Sequence, residues 1–168
     1  MNPITLQVAG AQVSIPHSTL VDMWLDRVRG QPIVDGPPKV SVYPKIGEPL
    51  EWEGGIYAGI VRGDLGEPDY RLIVCESEQA KINWQDAKAW VAGLVVDDCR
   101  DFTLPKRKEQ AVLFGNVPEM FEKDWYWSNE QYAGLAEYAW IQGFGLGTQL
   151  NGLKDYDCRA RAVRRIPI

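Results

Sequence analysis

Residues 125–133 read WYWSNEQYA, and residues 138–144 follow as YAWIQGF. In the second run every other residue from Tyr138 to Phe144 is aromatic or an amide, whereas the residues between them are small or aliphatic. Successive side chains of a β-strand point to opposite faces, so this alternation predicts a strand with two different faces. The aromatic residues of the first run fit either a buried cluster or a binding surface.

The segment RARAVRR at residues 159–165 holds four of the chain's 18 lysine and arginine residues. It fits either a basic patch for nucleic acid or a strand whose arginines pair within the chain. The interleaved Ala160, Ala162 and Val163 favour the strand, and Asp155 and Asp157 are nearby acidic partners.

The segments before residue 125 predict a hairpin and a helix. The β-rich runs GGIYAGIVRG and YRLIVCES flank DLGEPD, whose glycine and proline mark a chain reversal. In NWQDAKAWVAGLVVDD, Asn83 is a candidate N-cap and Asp86 supports the first helical turn. The apolar positions of this helical pattern are Trp84, Ala87, Val91, Leu94 and Val95.

A second helix is predicted from about Lys106 to Phe114. Pro105 is acceptable at a helix start, and Gly115 suits its end. The two helices and the several β-rich runs indicate the α+β class.

The first fifty residues differ in texture from the rest. The loose alternation in ITLQVAGAQVSI predicts one or two short strands that turn at Ala9 and Gly10. A short amphipathic helix is predicted over 18–30, followed by a proline-rich linker with a short strand at 40–43. We expect residues 1–50 to serve attachment or self-association, and residues 51–168 to form a ligand-binding domain.

Composition disfavours several classes of function. The formal charge of −5 argues against nucleic acid as a partner, because phosphate backbones are bound by lysine and arginine. No apolar run approaches the roughly 20 residues that span a bilayer, so no membrane insertion is expected. The N-terminus lacks the pattern of a signal peptide, which predicts synthesis in the cytoplasm without export by the general secretory route. Three cysteines without CxxC spacing and a single His17 disfavour a zinc site or a disulfide framework.

Several ordered motifs together carry a resemblance to a known family. They are GGIYAGI (54–60), DFTLPKRKEQ (101–110), WYWSNEQYA, YAWIQGF followed by GTQ (138–149), and RARAVRR. This set resembles a phage and prophage family of unknown function, the Lcl C-terminal domain family. That family has a C-type lectin-like fold and is related to formylglycine-generating enzymes and phage tropism determinants. The resemblance implies two helices flanking a twisted antiparallel sheet, a loop-rich C-terminal half and no cofactor.

Some relatives are diversified by a retroelement that rewrites chosen surface codons near the C-terminus. The positions of this chain that match the fixed framework of the family are Trp125, Trp127, Ser128, Glu130, Gln131, Tyr138, Trp140, Gln142, Phe144, Gln149 and the arginines of RARAVRR. The residues between those matches are the candidates for ligand binding. These are Tyr132, Leu135, Glu137, Ile141, Leu146, Thr148, Leu150, Asn151, Asp155, Tyr156 and Asp157. Exposed leucine and isoleucine residues among them would form an apolar patch for a partner.

Two departures from the family pattern lie outside the candidate residues. Lys106 stands where relatives place a helix-capping threonine, so the cap passes to Thr103 or is weaker. Cys158 stands just before RARAVRR and is either a variable position or a buried thiol.

The resemblance implies a tail-associated protein of a phage or prophage that binds a host-surface protein or glycan. Its partners would be other tail proteins and further copies of itself, a trimer by analogy. An alternative is an assembly component of the tail without its own receptor. Enzymatic activity is not expected, since the cysteines match no pair that forms formylglycine and His17 lies outside the resembling region. The calcium-binding motifs of animal C-type lectins are absent from the sequence.

Overall fold

The computed structural model describes residues 4–8, 11–15, 44–50 and 52–168, which belong to two compact units. In the first unit, 1–42, strands β1 (Ile4–Val8) and β2 (Ala11–Ile15) pair antiparallel. The predicted pair of short strands is therefore confirmed. The turn at 9–10, His17, the helix over 18–30 and the strand at 40–43 lie outside the described residues.

The second unit, 43–168, is built on a seven-stranded sheet in the order β3-β4-β5-β9-β6-β7-β8. The unit begins before the predicted boundary at residue 50, because β3 pairs with β4. The strands are β3 (Pro49–Leu50), β4 (Gly55–Val61), β5 (Tyr70–Ile82), β6 (Trp125–Gln131), β7 (Tyr138–Gly143), β8 (Gln149–Leu153) and β9 (Cys158–Pro167).

The sheet of this unit is mixed, with two helices in the described sequence, which confirms the α+β class. The expectation of an all-antiparallel sheet is wrong, because β6 runs parallel to β9 where Tyr126 pairs with Arg159. The chain must cross between these two strands, and it does so through the β7–β8 hairpin.

The predicted hairpin is formed by β4 and β5, which pair antiparallel from Ile56 with Val74 to Val61 with Tyr70. Glycine is required within it: a Cβ on Gly55 would lie 2.2 Å from the carbonyl oxygen of Val74. Gly59 has a φ of 127° at the point where the pairing register shifts. The glycines of GGIYAGI therefore serve close strand packing and a bulge.

Both predicted helices are present. Helix α1 (Trp84–Ala92) begins after Asn83, whose side chain accepts a hydrogen bond of 2.9 Å from the backbone N–H of Asp86. Its buried residues are Trp84, Ala87 and Val91, as the spacing predicts. The helix ends before Gly93, so the apolar residues at 94 and 95 follow it instead of extending its face.

Helix α2 (Arg107–Asn116) continues one residue beyond Gly115. Two carboxylates cap its start. Glu109 accepts from the backbone N–H of Lys106 at 2.6 Å, and Glu130 accepts from that of Arg107 at 2.9 Å. Thr103 does not supply the cap, because its hydroxyl donates to the carbonyl of Leu104 instead. A short 3-10 helix, Pro118–Met120, follows.

The aromatic run WYW is framework. Tyr126 and Trp127 are neighbours on β6, point to opposite faces, and are the largest fully buried side chains of the described core. Tyr126 packs in a cluster with Phe144 and Leu113, whereas Trp127 packs in a second cluster with Trp84. One strand therefore anchors both hydrophobic cores.

The arginine-rich segment forms strand β9, as predicted, but its ionic partners are distant in sequence. Arg159 and Arg161 both pair with Glu78, and Arg165 pairs with Glu109 at 2.6 Å. Arg164 pairs with Glu53 and Asp101. The expected partners at 155 and 157 are wrong, because these aspartates lie in the loop before β9 and stay exposed.

Candidate functional site

Two loops at one end of the β7–β8 hairpin lie side by side and carry six of the candidate residues. They are the loop at 132–137, before β7, and the loop at 154–157, after β8; together they are called the loop surface. The backbone N–H of Lys154 donates to the carbonyl of Glu137 at 2.9 Å, which joins the two loops directly. The candidates brought together are Tyr132, Leu135, Glu137, Asp155, Tyr156 and Asp157.

Lys154 holds the loop surface in place. Its ammonium donates to the carbonyl of Ala136 at 2.5 Å and to the side-chain oxygen of Gln131 at 2.7 Å. It also lies 4.5 Å from the ring centroid of Trp84, whose backbone N–H donates to the Lys154 carbonyl. The two loops are thus fixed to the start of α1. Sequence analysis missed this residue, because a lysine in a loop carries no signal for such a role.

The loop surface combines apolar, aromatic and acidic chemistry. Leu135 and Tyr156 are 52% and 60% exposed, large fractions for side chains that could pack inside. Glu137, Asp155 and Asp157 are exposed around them. Such a surface complements a partner that presents apolar area together with positive or hydroxyl groups.

The remaining five candidates do not join this surface. Ile141 was expected to be exposed; this is wrong, because it is only 8% exposed and packs in the core with Trp127. Leu146 and Thr148 are exposed in the turn at the opposite end of the hairpin. Leu150 and Asn151 lie between the two ends, on edge strand β8.

The single apolar patch expected from the aliphatic candidates is not formed. A six-residue strand such as β7 is about 20 Å long, and it separates the turn of Leu146 from the loop of Leu135. Two exposed ends therefore replace one continuous patch.

A polar network supports the hairpin from helix α2. Gln149 donates to the carbonyl of Arg107 at 2.8 Å and to the side chain of Gln142 at 2.7 Å, and Gln142 donates to the carbonyl of Gln110 at 3.0 Å. These amides explain why glutamines stand in YAWIQGF and GTQ. The network borders a recess of about 670 Å³ that Lys106, Lys108 and Asp64 also line.

Trp140 is half-buried between the helix and the loop surface. The guanidinium of Arg107 lies 3.5 Å from its ring centroid, and the ring of Tyr132 meets it edge-on at 5.3 Å. The candidate Tyr132 is thereby tied to the framework through its contact with Trp140, whose other contact is with Arg107. Its freedom to adapt to a ligand is smaller than that of Tyr156.

A buried carboxylate, Glu109, fixes helix α2 to the sheet. It accepts hydrogen bonds from the hydroxyl of Tyr70 at 2.5 Å and from Arg165 at 2.6 and 2.7 Å. Burial by itself raises the pKa of Glu109, but the bonds and charge of Arg165, with Tyr70 and the Lys106 backbone, hold it below the usual value. Burial, with the bond to Glu109, raises the pKa of Tyr70 far above its usual range. We interpret this site as structural, because both carboxylate oxygens of Glu109 already accept hydrogen bonds from donors of the protein.

All three cysteines carry free thiols. Cys75 is buried, and burial raises the pKa of Cys158 to about 11. In the part of the chain that the structure describes, no group of three histidine, cysteine, aspartate or glutamate residues could hold a metal ion. Across the same residues no helix is both long and apolar enough to cross a membrane.

No protein-family model matches the chain, and no curated protein matches it.

Proposed function

We propose that this protein is a recognition module associated with a phage or prophage tail, which binds a host-surface protein or glycan through the loop surface. Its domain is proposed to be C-type lectin-like, as the motifs quoted above imply. The observation that supports binding is the contrast between a tightly paired framework and the exposed loops that Lys154 joins.

The framework leaves little chemistry for catalysis. Its charged groups on β9 are paired with carboxylates of the same domain, and Glu109 is saturated by donors. The loop surface instead offers exposed groups of mixed type, which suits recognition by complementarity. A catalytic centre would need a few groups in fixed mutual roles.

The proposal is tested with fluorescently labelled protein applied to a panel of intact bacterial strains. We expect binding to at least one strain, lost in the double variant Leu135→Asp/Tyr156→Ala. The matched control is Leu65→Asp, which alters a fully exposed leucine in the β4–β5 turn. All variants should melt like the parent, because exposed side chains contribute little to stability.

If the double variant binds as the Leu65→Asp control does, the loop surface is not the recognition site. If no strain binds the parent protein, the role of an assembly component replaces that of a receptor-binding one. Sequencing the flanking DNA adds an independent test of diversification. A neighbouring reverse transcriptase and a near-copy of the stretch encoding residues 127–165, differing at adenines, would establish it.

A further inference from the structure

A groove of about 590 Å³ lies near the β3 edge of the sheet, whereas the loop surface lies near the β8 edge. The groove is bounded by the β3–β4 turn and by a bulge in β5. The bulge falls where the pairing of β5 with β9 shifts between Val74 and Glu78. The residues that line it include Trp52, Glu76, Ser77 and Asp97, together with Gly54 and Gly55. This volume is in the range of sites for small ligands.

Trp52 presents its indole to solvent at the mouth of this groove. The residue is 81% exposed, the largest exposure of any tryptophan among the described residues. Its φ of 68° is a left-handed backbone conformation, which is rare and unfavourable for a bulky side chain. Neither burial nor backbone preference therefore accounts for a tryptophan at this position.

The turn that carries Trp52 is rigidly held. Cys99 Sγ donates to the Trp52 carbonyl at 3.4 Å, and the N–H of Glu53 donates to the carbonyl of Leu50 at 3.1 Å. A Cβ on Gly54 would lie 2.8 Å from the ring of Phe102. These contacts hold the backbone that carries Trp52 beside the groove.

The charged groups of the groove are two carboxylates, Glu76 and Asp97. Among the described residues, neither the Glu76 nor the Asp97 carboxylate has a hydrogen bond or ion pair with the protein. No lysine or arginine of the described chain lines the groove. Carboxylates accept hydrogen bonds from hydroxyl and amine groups and repel anions.

We propose that this groove binds a saccharide without negative charge, either neutral or amine-bearing. The apolar face of a sugar ring stacks on the Trp52 indole, and its hydroxyl groups donate to Glu76 and Asp97. This site is separate from the loop surface and does not depend on the function proposed for it.

The site is tested with the whole chain, labelled with 15N, by following the indole N–H signals during titration with oligosaccharides. The probes are tetramers of N-acetylglucosamine, glucosamine, glucose linked β-1,4 and glucose linked α-1,4, with tetragalacturonate as the anionic comparison. The Trp52 signal is assigned by its loss in Trp52→Ala. We expect at least one non-anionic tetramer to shift this signal with a Kd of about 1 mM or tighter, and tetragalacturonate to leave it unchanged.

Variants separate stacking from general damage. Binding to the variants is read from the backbone N–H signals of Gly54 and Gly55, which remain when the indole is removed. Trp52→Ala should weaken binding at least about tenfold, Trp52→Phe should retain part of it, and Glu76→Gln should weaken it several-fold. Tyr156→Ala, on the loop surface, should leave it unchanged. Because Trp52, Glu76 and Tyr156 are all exposed, the melting temperature of all four variants should equal that of the parent.

The proposal is overturned if none of the non-anionic tetramers shifts the Trp52 signal at about 10 mM. It is also overturned if tetragalacturonate binds equally well, or if Trp52→Ala binds as tightly as the parent. Because the bacterial binding assay reads the loop surface, the two proposals can fail separately.

Discussion

Replacing Glu109 by glutamine tests whether one buried carboxylate holds helix α2 to the sheet. The two oxygens of Glu109 accept four hydrogen bonds, from Tyr70, from the backbone of Lys106 and twice from Arg165. A glutamine offers one accepting oxygen and one amide that cannot accept. Whichever way the amide turns, two donors lose their acceptor and Arg165 loses its counter-charge.

The magnitude follows from this geometry. Removing one partner of a buried ion pair costs about 3–5 kcal/mol, because the other charge stays behind uncompensated. The Arg165 side chain is 26% exposed and can draw on water, so we expect the lower end of that range, about 3 kcal/mol. Glu130→Gln is the matched control, since its single bond to the Arg107 N–H can be kept by the amide oxygen. Its cost should stay below about 1 kcal/mol.

The assay is urea unfolding followed by tryptophan fluorescence at several pH values. The lowered pKa of Glu109 means that its stabilisation is complete above the unfolded-state value of 4.5 and is lost as pH falls through the folded pKa. The difference between parent and Glu109→Gln should therefore be constant at neutral pH and shrink in acid. A cost below about 1 kcal/mol, or a difference that does not change down to pH 3, would refute the reasoning.

Three further predictions concern the framework and its exposed ends. Trp127→Ala should lower the free energy of unfolding in urea by about 3–5 kcal/mol, because Trp127 is fully buried. The Trp140 ring is only half-buried beside Arg107, so Trp140→Ala should lower it by about 1–2 kcal/mol. Equal costs for the two substitutions would contradict this ranking. Cys158 in the native protein should be alkylated by iodoacetamide at pH 8 roughly a hundredfold more slowly than in urea, as mass spectrometry of its peptide would show, because its pKa is raised from 9.0 to about 11. Leu146→Asp should leave the melting temperature unchanged by calorimetry, since Leu146 is 89% exposed, and a clear loss of stability would mean that its turn packs against something.

Local patterns in the sequence predicted the elements of the fold well. The cap at Asn83, the glycine-rich hairpin and the alternation from Tyr138 each depend on neighbours within a few residues, and each is confirmed. The exposure of Ile141 is one local prediction that is wrong. Its position between framework residues predicts a surface side chain, whereas the strand period places Ile141 beside Ala139 on the core face.

Long-range pairing escaped prediction. Glu78 is 81 residues from Arg159 and 83 from Arg161 in sequence, yet it joins both. The parallel contact of β6 with β9 likewise depends on where the chain returns after the β7–β8 hairpin. A charge pattern identifies which residues need partners, whereas only the topology decides which partners they find.

The same topology is compatible with the two separate binding surfaces that we propose. β9 lies at the centre of the sheet, and its arginines hold β5 through Glu78 and α2 through Glu109. This central strand carries most of the ionic contacts, and at the edge of Trp52 it also holds the turn through the pair of Arg164 with Glu53. The loops beside β7 and β8 lie at one edge of the sheet, and the turn of Trp52 lies at the opposite edge, beside β3. Substitutions at either edge should therefore leave the other edge folded and functional, which is the condition for recognising two ligands independently.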